Sequence, residues 1–329
     1  MDGRPSWHTE SMKRSPAYRH QAAWSTLSAA LLTALSLCAN YAHATGAPKD
    51  DTPQAVTHIV YPLTSGDDMD SRYDYDWAVL RVAMTKTIPR FGPFDIRQSP
   101  QTMSWQRIAH ELIRPGGGVN VLARSTSKEL ERQLIPVRLP IDRGLLGYRV
   151  FLVRDNDLPR FAAVRTLDDL RLLSVGQGKD WIDVPILRAA GFNVVEGANY
   201  RGLFAMLDAG RFDFFSRALD EAGRELKERR DSHPHMAVEP SLLMYYPLPL
   251  YFFLRRDAEG ELLARRIEAG MEMMIKDGSL NALFQKFKGD SIRNGALSKR
   301  RLLALPNPHL PPETPLSRSE LWFNPLTGK

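Results

Sequence analysis

Gly147-Tyr-Arg-Val-Phe-Leu-Val-Arg154 and its distant counterpart Pro247-Leu-Pro-Leu-Tyr-Phe-Phe-Leu254 decide how this chain is read. Both are short runs of branched and aromatic residues, which suit a pleated strand. The residues between them alternate strand and helix signals: a helix at Leu167 to Leu170, a strand at Leu172 to Val175 and a helix from Asp180 to Ala190 stopped by Gly191. A strand at Phe192 to Val195, a helix at Tyr200 to Ala209 stopped by Gly210 and a strand at Phe212 to Phe215 complete the series. Glycine just past a helix takes the left-handed conformation that ends it. The middle of the chain is thus a self-contained α/β unit entered and left by two strands.

Outside that unit the same alternation begins and ends the fold. His58 to Tyr61 reads as a first strand, and Trp77, Leu80, Met84 and Ile88 recur at helical spacing until Pro89 and Gly92. A second helix runs through Trp105, Ile108, Leu112 and Ile113 to Pro115-Gly-Gly-Gly118, and the apolar strand Val119 to Ala123 follows. Beyond Leu254 a long helix carries Leu262, Ile267, Met271 and Met274, and a last one carries Leu280, Leu283, Phe284 and Phe287. This order predicts an α/β protein in which lobe 1 comprises 56–150 and 249–295, lobe 2 comprises 151–248, and 296–329 is a surface tail. Two lobes joined by two crossing strands make a hinge, and the cleft between them is the expected binding site.

Lys13, Arg14 and Arg19 precede a largely apolar run from Ala22 to Ala39 and then Ala42-His-Ala44, the layout of a cleavable secretory signal over residues 1–44. The expected compartment is the periplasm. Cys38, the one cysteine, falls within that segment, so the mature chain is expected to have no disulfide and no thiol nucleophile. The formal charge of +6 becomes +4 without residues 1–44, with 40 basic against 36 acidic side chains interspersed. No nucleic-acid partner is expected from such a pattern, in which runs like Lys227-Glu-Arg-Arg-Asp231 read as solvated helix faces.

The segment Ser174-Val-Gly-Gln-Gly-Lys179, the phrase Leu207-Asp-Ala-Gly-Arg-Phe-Asp213, the strand Tyr246 to Leu254 and Lys276-Asp-Gly-Ser-Leu280, in this order, resemble the family 3 solute-binding proteins. The resemblance covers residues 56 to 290 and implies the type II periplasmic binding protein fold, a non-catalytic receptor for an amino-acid ABC transporter, and a monomer without cofactor. Family members clamp an amino acid with an arginine in a Thr-x-x-Arg pattern, which here falls near Arg132 with Glu129 in the threonine's place. The aspartate that the family sets against the ammonium is replaced by Ala218. These departures point away from a standard α-amino acid and toward a ligand with negative character or a flat polar surface.

Seven residues are candidate ligand contacts. Gly176 and Gly178 precede a helix whose N–H groups can hold an anion, with Gly178 and Lys179 as candidate contacts; Arg217 can pair with it; Trp181 can stack on it. Alternatively Arg217 pairs with Glu221 one turn away, and Trp181 is core. In lobe 1, Arg72 and Tyr75 belong to an acid-rich stretch from Asp67 to Asp76 that either binds a cationic group or merely caps the next helix through Asp76, and Arg107 is a further clamp. Arg149 reads as a hinge tether or a ligand contact.

No Gly-x-Ser-x-Gly, His-Glu-x-x-His or complete dinucleotide motif occurs, and His233-Pro-His235 lacks a third metal ligand. Two other readings stay open on the same fold: a sensor module read by a membrane partner in place of a permease, and a dehydratase using a buried acid among Glu196, Glu221 and Asp213.

Overall fold

Branched and aromatic residues build most of the strands, and glycines at positive φ follow several helices, as at Gly92, Gly191 and Gly210. The computed structural model describes residues 55–64, 73–325 and 327–328; the segment 1–44, expected from sequence to be a secretory signal, and Arg72 lie outside the described residues. The elements in order are β1 (Thr57–Thr64), α1 (Asp74–Lys86), α2 (Ile88–Phe91), β2 (Phe94–Met103), α3 (Trp105–Ile113), β3 (Leu122–Ser125), α4 (Lys128–Gln133) and β4 (Ile135–Val137). The middle unit holds β5 (Tyr148–Arg154), α5 (Leu158–Ala162), α6 (Leu167–Arg171), β6 (Val175–Gly178), α7 (Asp183–Ala189), β7 (Val194–Gly197), α8 (Tyr200–Asp208), β8 (Phe214–Ala218), α9 (Leu219–Glu228), β9 (Met236–Val238) and β10 (Leu242–Tyr245). The chain returns through β11 (Leu250–Leu254), α10 (Ala258–Lys276), α11 (Ser279–Gly295) and β12 (Arg301–Ala304).

Two sheet systems mark the two lobes. In lobe 1, β11 lies between β3 and β4, both antiparallel to it, while β1 and β2 form a parallel pair. Asn120 joins them by imitating a strand backbone: its Oδ1 accepts from Val60 N at 2.9 Å and its Nδ2 donates to His58 O at 2.8 Å. In lobe 2 seven strands form one mixed sheet in the order β12-β10-β5-β8-β6-β7, with β9 beside β5. β6 is parallel to both neighbours, as an inserted α/β unit requires.

Three expectations need correction. The crossing strands Gly147 to Arg154 and Pro247 to Leu254 do not themselves span the lobes: β5 belongs to the lobe 2 sheet and β11 to the lobe 1 sheet. The crossovers are the irregular segments 138–147 and 246–249, which touch where Tyr246 N donates to Gly147 O at 3.3 Å. Gly147 is required there, since a Cβ would lie 2.3 Å from Tyr246 O. The strands of the middle unit start two to three residues later than read, and Leu172, given to a strand, is 81% exposed. Lastly, 296–329 is no mere surface tail. It supplies β12 and buries Leu303, Leu305, Leu321 and Phe323. It also ties down both crossovers, with Asn307 Nδ2 donating to Pro247 O at 2.9 Å and Phe323 N donating to Arg143 O at 2.7 Å.

β2 escaped the sequence reading because only Ser99 and Met103 of its ten residues are buried, so it carries no apolar alternation. The lobe 1 helices are packed closely enough to test. A Cβ on Gly270 of α10 would lie 2.2 Å from the Ala83 carbonyl oxygen of α1. Gly270→Ala is expected to cost roughly 1–3 kcal/mol by overpacking, visible as a melting temperature several degrees lower. Gly223→Ala on α9, with nothing within 4 Å, is the control and should stabilise by about 0.5–1 kcal/mol. Equal effects of the two would contradict the packing.

Candidate functional site

A cleft of about 1170 Å³ lies between the lobes. Lobe 1 contributes Trp105 at the start of α3 and Arg124 on β3; lobe 2 contributes Trp181, Tyr200 and Arg217; the crossover side contributes Asp142 and Arg149. The fold brings them together because β3, β5 and β8 and the starts of α1, α3 and α9 all end at this opening.

Arg217 is the most deeply built of the predicted residues. It is 5% exposed, and its Nε and Nη2 both donate to Glu225, at 2.9 and 2.7 Å, while Nη2 lies 3.0 Å from Glu221. Trp181 and Phe215 flank the guanidinium at 5.0 and 4.8 Å, with Tyr200 at 5.7 Å. Burial alone would weaken its protonation; the two carboxylates outweigh that and hold it more firmly charged. The Glu221 pair anticipated from sequence is present, but the fully buried Glu225, two turns along α9, is the principal partner. Trp181 packs on Phe215, as the core alternative expects, and one part of it lines the cleft.

The other predicted contacts fall elsewhere. Gly178 makes room for Trp181, whose ring would meet a Cβ at 2.2 Å. Lys179 is exposed and outside the cleft lining, its N–H already donated to Gly197 O. No long helix follows them to hold an anion, because α7 begins only at Asp183 and has seven residues. Tyr75 is core, 2% exposed, donating to Ile141 O at 2.6 Å and packed near Phe284 and Phe287. Arg107 is exposed and bonded to Gln101 Oε1 at 2.7 Å, outside the cleft, although its neighbours Ser104 to Gln106 line it. Arg72 and the acids Asp67, Asp68 and Asp70 lie outside the described residues. Arg132 points to solvent and pairs with Glu129. Arg149 is buried, donating to Asp183 at 2.6 Å, and Tyr246 donates to the same carboxylate.

The residue that sequence reasoning missed is Arg124. It lies over the Trp105 ring at 4.5 Å and has no carboxylate partner among the described residues, and burial lowers its pKa. Arg149, Arg217, Arg224 and Arg229, which also line the cleft, are each paired with an acid. The available signal was an arginine ending the apolar run Val119 to Ala123. Also missed was the group of Asp76 on α1, Asp142 on the first crossover, Asp220 on α9 and Lys288 on α11, all lining one end of the cleft. Lys288 Nζ lies 2.5 Å from Asp220, which it holds below the usual carboxylate range although burial alone would raise it. Burial pushes Asp142 up to about 6 and Asp76 up to about 8, opposed by Lys288 and, for Asp76, reinforced by Asp142 and Asp220.

A pH dependence follows. In the folded chain Asp76 keeps its proton far above the unfolded carboxylate pKa of about 3.9, so between those values the native state binds more protons than the unfolded state. Its stabilising share is complete below about pH 4 and is lost as pH rises through 8. The melting temperature should therefore fall from pH 5 to pH 8.5, and Asp76→Asn should flatten that fall; identical slopes would refute it.

No protein-family model matches the chain, and no curated protein matches it. Among solved structures, the probable amino-acid ABC transporter extracellular-binding protein ytmK from Bacillus subtilis superimposes with a TM-score of 0.52 at 17% identity, covering 72% of this chain and 99% of that one. The chain has the two-lobed periplasmic binding protein fold. An ancestral arginine-binding protein bound to arginine is similar at a TM-score of 0.49, 17% identity, 70% of this chain and 97% of that one. A histidine kinase sensor domain with similarity to periplasmic binding proteins gives 0.48, 19%, 72% and 97%. In this binding-protein fold the cleft occupies the hinge between lobes, which is where two faces can close on a ligand.

Proposed function

We propose that the chain is a periplasmic solute-binding protein, exported by its N-terminal signal, which captures a small polar ligand bearing an anionic group and presents it to an ABC-type transporter. The observation that carries this reading is the cleft itself, entered by an arginine from lobe 1 that has no carboxylate partner among the described residues. Uncompensated guanidinium beside an indole suits a carboxylate or phosphate on a flat or apolar body. Across the cleft, Trp181 offers a second face, held in place by Arg217. Ligand contacts to both faces favour the closed arrangement, so binding is a population shift about the two crossovers. No catalytic step is part of this reading.

The test is a thermal-shift screen of refolded protein against amino acids, dicarboxylates, small cyclic acids and polyamines. A ligand at a hundredfold excess over Kd stabilises by about 2.7 kcal/mol. A shift with an acid-bearing compound and no product formed is expected. A shift accompanied by turnover would replace the receptor with an enzyme, and a flat screen would count against ligand capture altogether.

A further inference from the structure

The end of the cleft nearest α11 has an unbalanced charge inventory. Three carboxyl groups reach it from three separate elements: Asp76 from α1, Asp142 from the first crossover and Asp220 from α9. One ammonium answers them, that of Lys288, which donates to Asp220 at 2.5 Å and lies over the Tyr75 ring at 5.2 Å; the Arg224 guanidinium also acts on Asp220, but it pairs with Glu228. Asp142 is occupied with backbone, accepting from Gly144 N at 3.0 Å and Leu146 N at 2.7 Å. Asp76 is different. It is 5% exposed, it lines the cleft, and no hydrogen-bond donor reaches its carboxyl among the described residues. Tyr75 beside it donates to Ile141 O, and α10, packed along the same helix, places its buried Arg266 at the far end on Thr87. Neighbouring carboxylates disfavour the ionised form of Asp76, so a cation arriving from the cleft stabilises that form.

We infer that this end of the cleft is a cation subsite, in which Asp76, flanked by Asp142 and Asp220, receives a protonated amine or guanidine of the ligand. The inference rests on the reading of the cleft as the ligand site, and it adds a second charge to the ligand class: an anionic group for Arg124 and a cationic group for Asp76. Nothing here resembles a metal centre, since among the described residues no three His, Cys, Asp or Glu side chains are arranged to hold a metal ion. The resident Lys288 shows what chemistry the pocket accepts, an ammonium among carboxylates above an aromatic ring. In the ligand-free protein near pH 7 Asp76 holds a proton, its carboxyl being pushed up to about 8. An incoming ammonium takes the proton's place, leaving a carboxylate–ammonium pair and releasing one proton to solvent.

Two sets of probes test this on the mature protein: L-ornithine, 5-aminovalerate and putrescine against the amine-free valerate and glutarate. Titration calorimetry at pH 7 in buffers of different ionisation enthalpy counts the protons released. The amines are expected to bind, with proton release approaching one per molecule. Asp76→Asn should weaken them at least tenfold and abolish the release. Lys288→Met, which removes the competing ammonium, should tighten them; loss of binding there would overturn the inference. Binding of the amine-free acids as tightly as their amine counterparts, without proton release, overturns the cation subsite and leaves the receptor reading standing. Binding by none of the five overturns the subsite, and the broader screen then decides the receptor reading separately.

Discussion

Arg217→Ala is expected to lower the melting temperature by roughly 6–20 °C, the largest stability loss of any single cleft substitution. The guanidinium is 5% exposed and its partner Glu225 is fully buried, so truncation leaves a carboxylate with no counter-ion inside the lobe. Breaking a buried pair from one side costs about 3–5 kcal/mol, because the surviving charge keeps its desolvation penalty and loses its attraction. The stack with Trp181 and Phe215 goes as well. Tyr200 still donates to Glu225 at 2.7 Å, which limits the loss. The double substitution Arg217→Met with Glu225→Leu should recover much of the stability, since it removes both charges together. A melting temperature for Arg217→Ala within 2 °C of the parent, a margin of about 1 kcal/mol, would mean the pair holds nothing together.

Arg124→Ala should do the opposite: ligand affinity falls at least about a hundredfold, worth ~3 kcal/mol, while the ligand-free protein melts where the parent does. Among the described residues Arg124 has no carboxylate to abandon, only its stack on Trp105 at 4.5 Å, and burial already works against its charge. A stack of this kind contributes about 0.5–2 kcal/mol, and relief of desolvation offsets part of it. Arg124→Lys should restore only a fraction of the affinity, because a point charge replaces a planar fork. Arg132→Ala is the control. Its side chain points to solvent against Glu129, so neither affinity nor stability should move. Calorimetry with the compound identified by the screen gives both numbers; intact binding by Arg124→Ala together with loss in Arg132→Ala would return the clamp to the position that the family resemblance suggested.

The contrast between these arginines shows where sequence reasoning reached and where it stopped. Arg217 stands beside Ala218, the position where the family resemblance expects an aspartate, and it lines the cleft. The Glu221 pair expected from sequence forms, but Glu225, on the same side of α9, is the fully buried partner, and only packing decides which of the two is buried. Gly178 and Lys179 were chosen for a helix N-terminus that forms four residues later. Tyr75 and Asp76 are adjacent in sequence, yet helical geometry turns one ring into the core and the neighbouring carboxyl toward the cleft.

By itself the sequence determined the alternation of strands and helices, the inserted middle unit and the helix stops at Gly191 and Gly210, because hydrophobic period and glycine's freedom at positive φ are local properties. Tertiary structure alone decided which charges are spent and which remain. Asp220 meets Lys288 across 68 residues, while among the described residues no donor meets the Asp76 carboxyl and Arg124 finds an indole and no acid. Pairing is a matter of distances a few ångströms long between residues far apart in the chain, and the charges left over after pairing are what a ligand would meet.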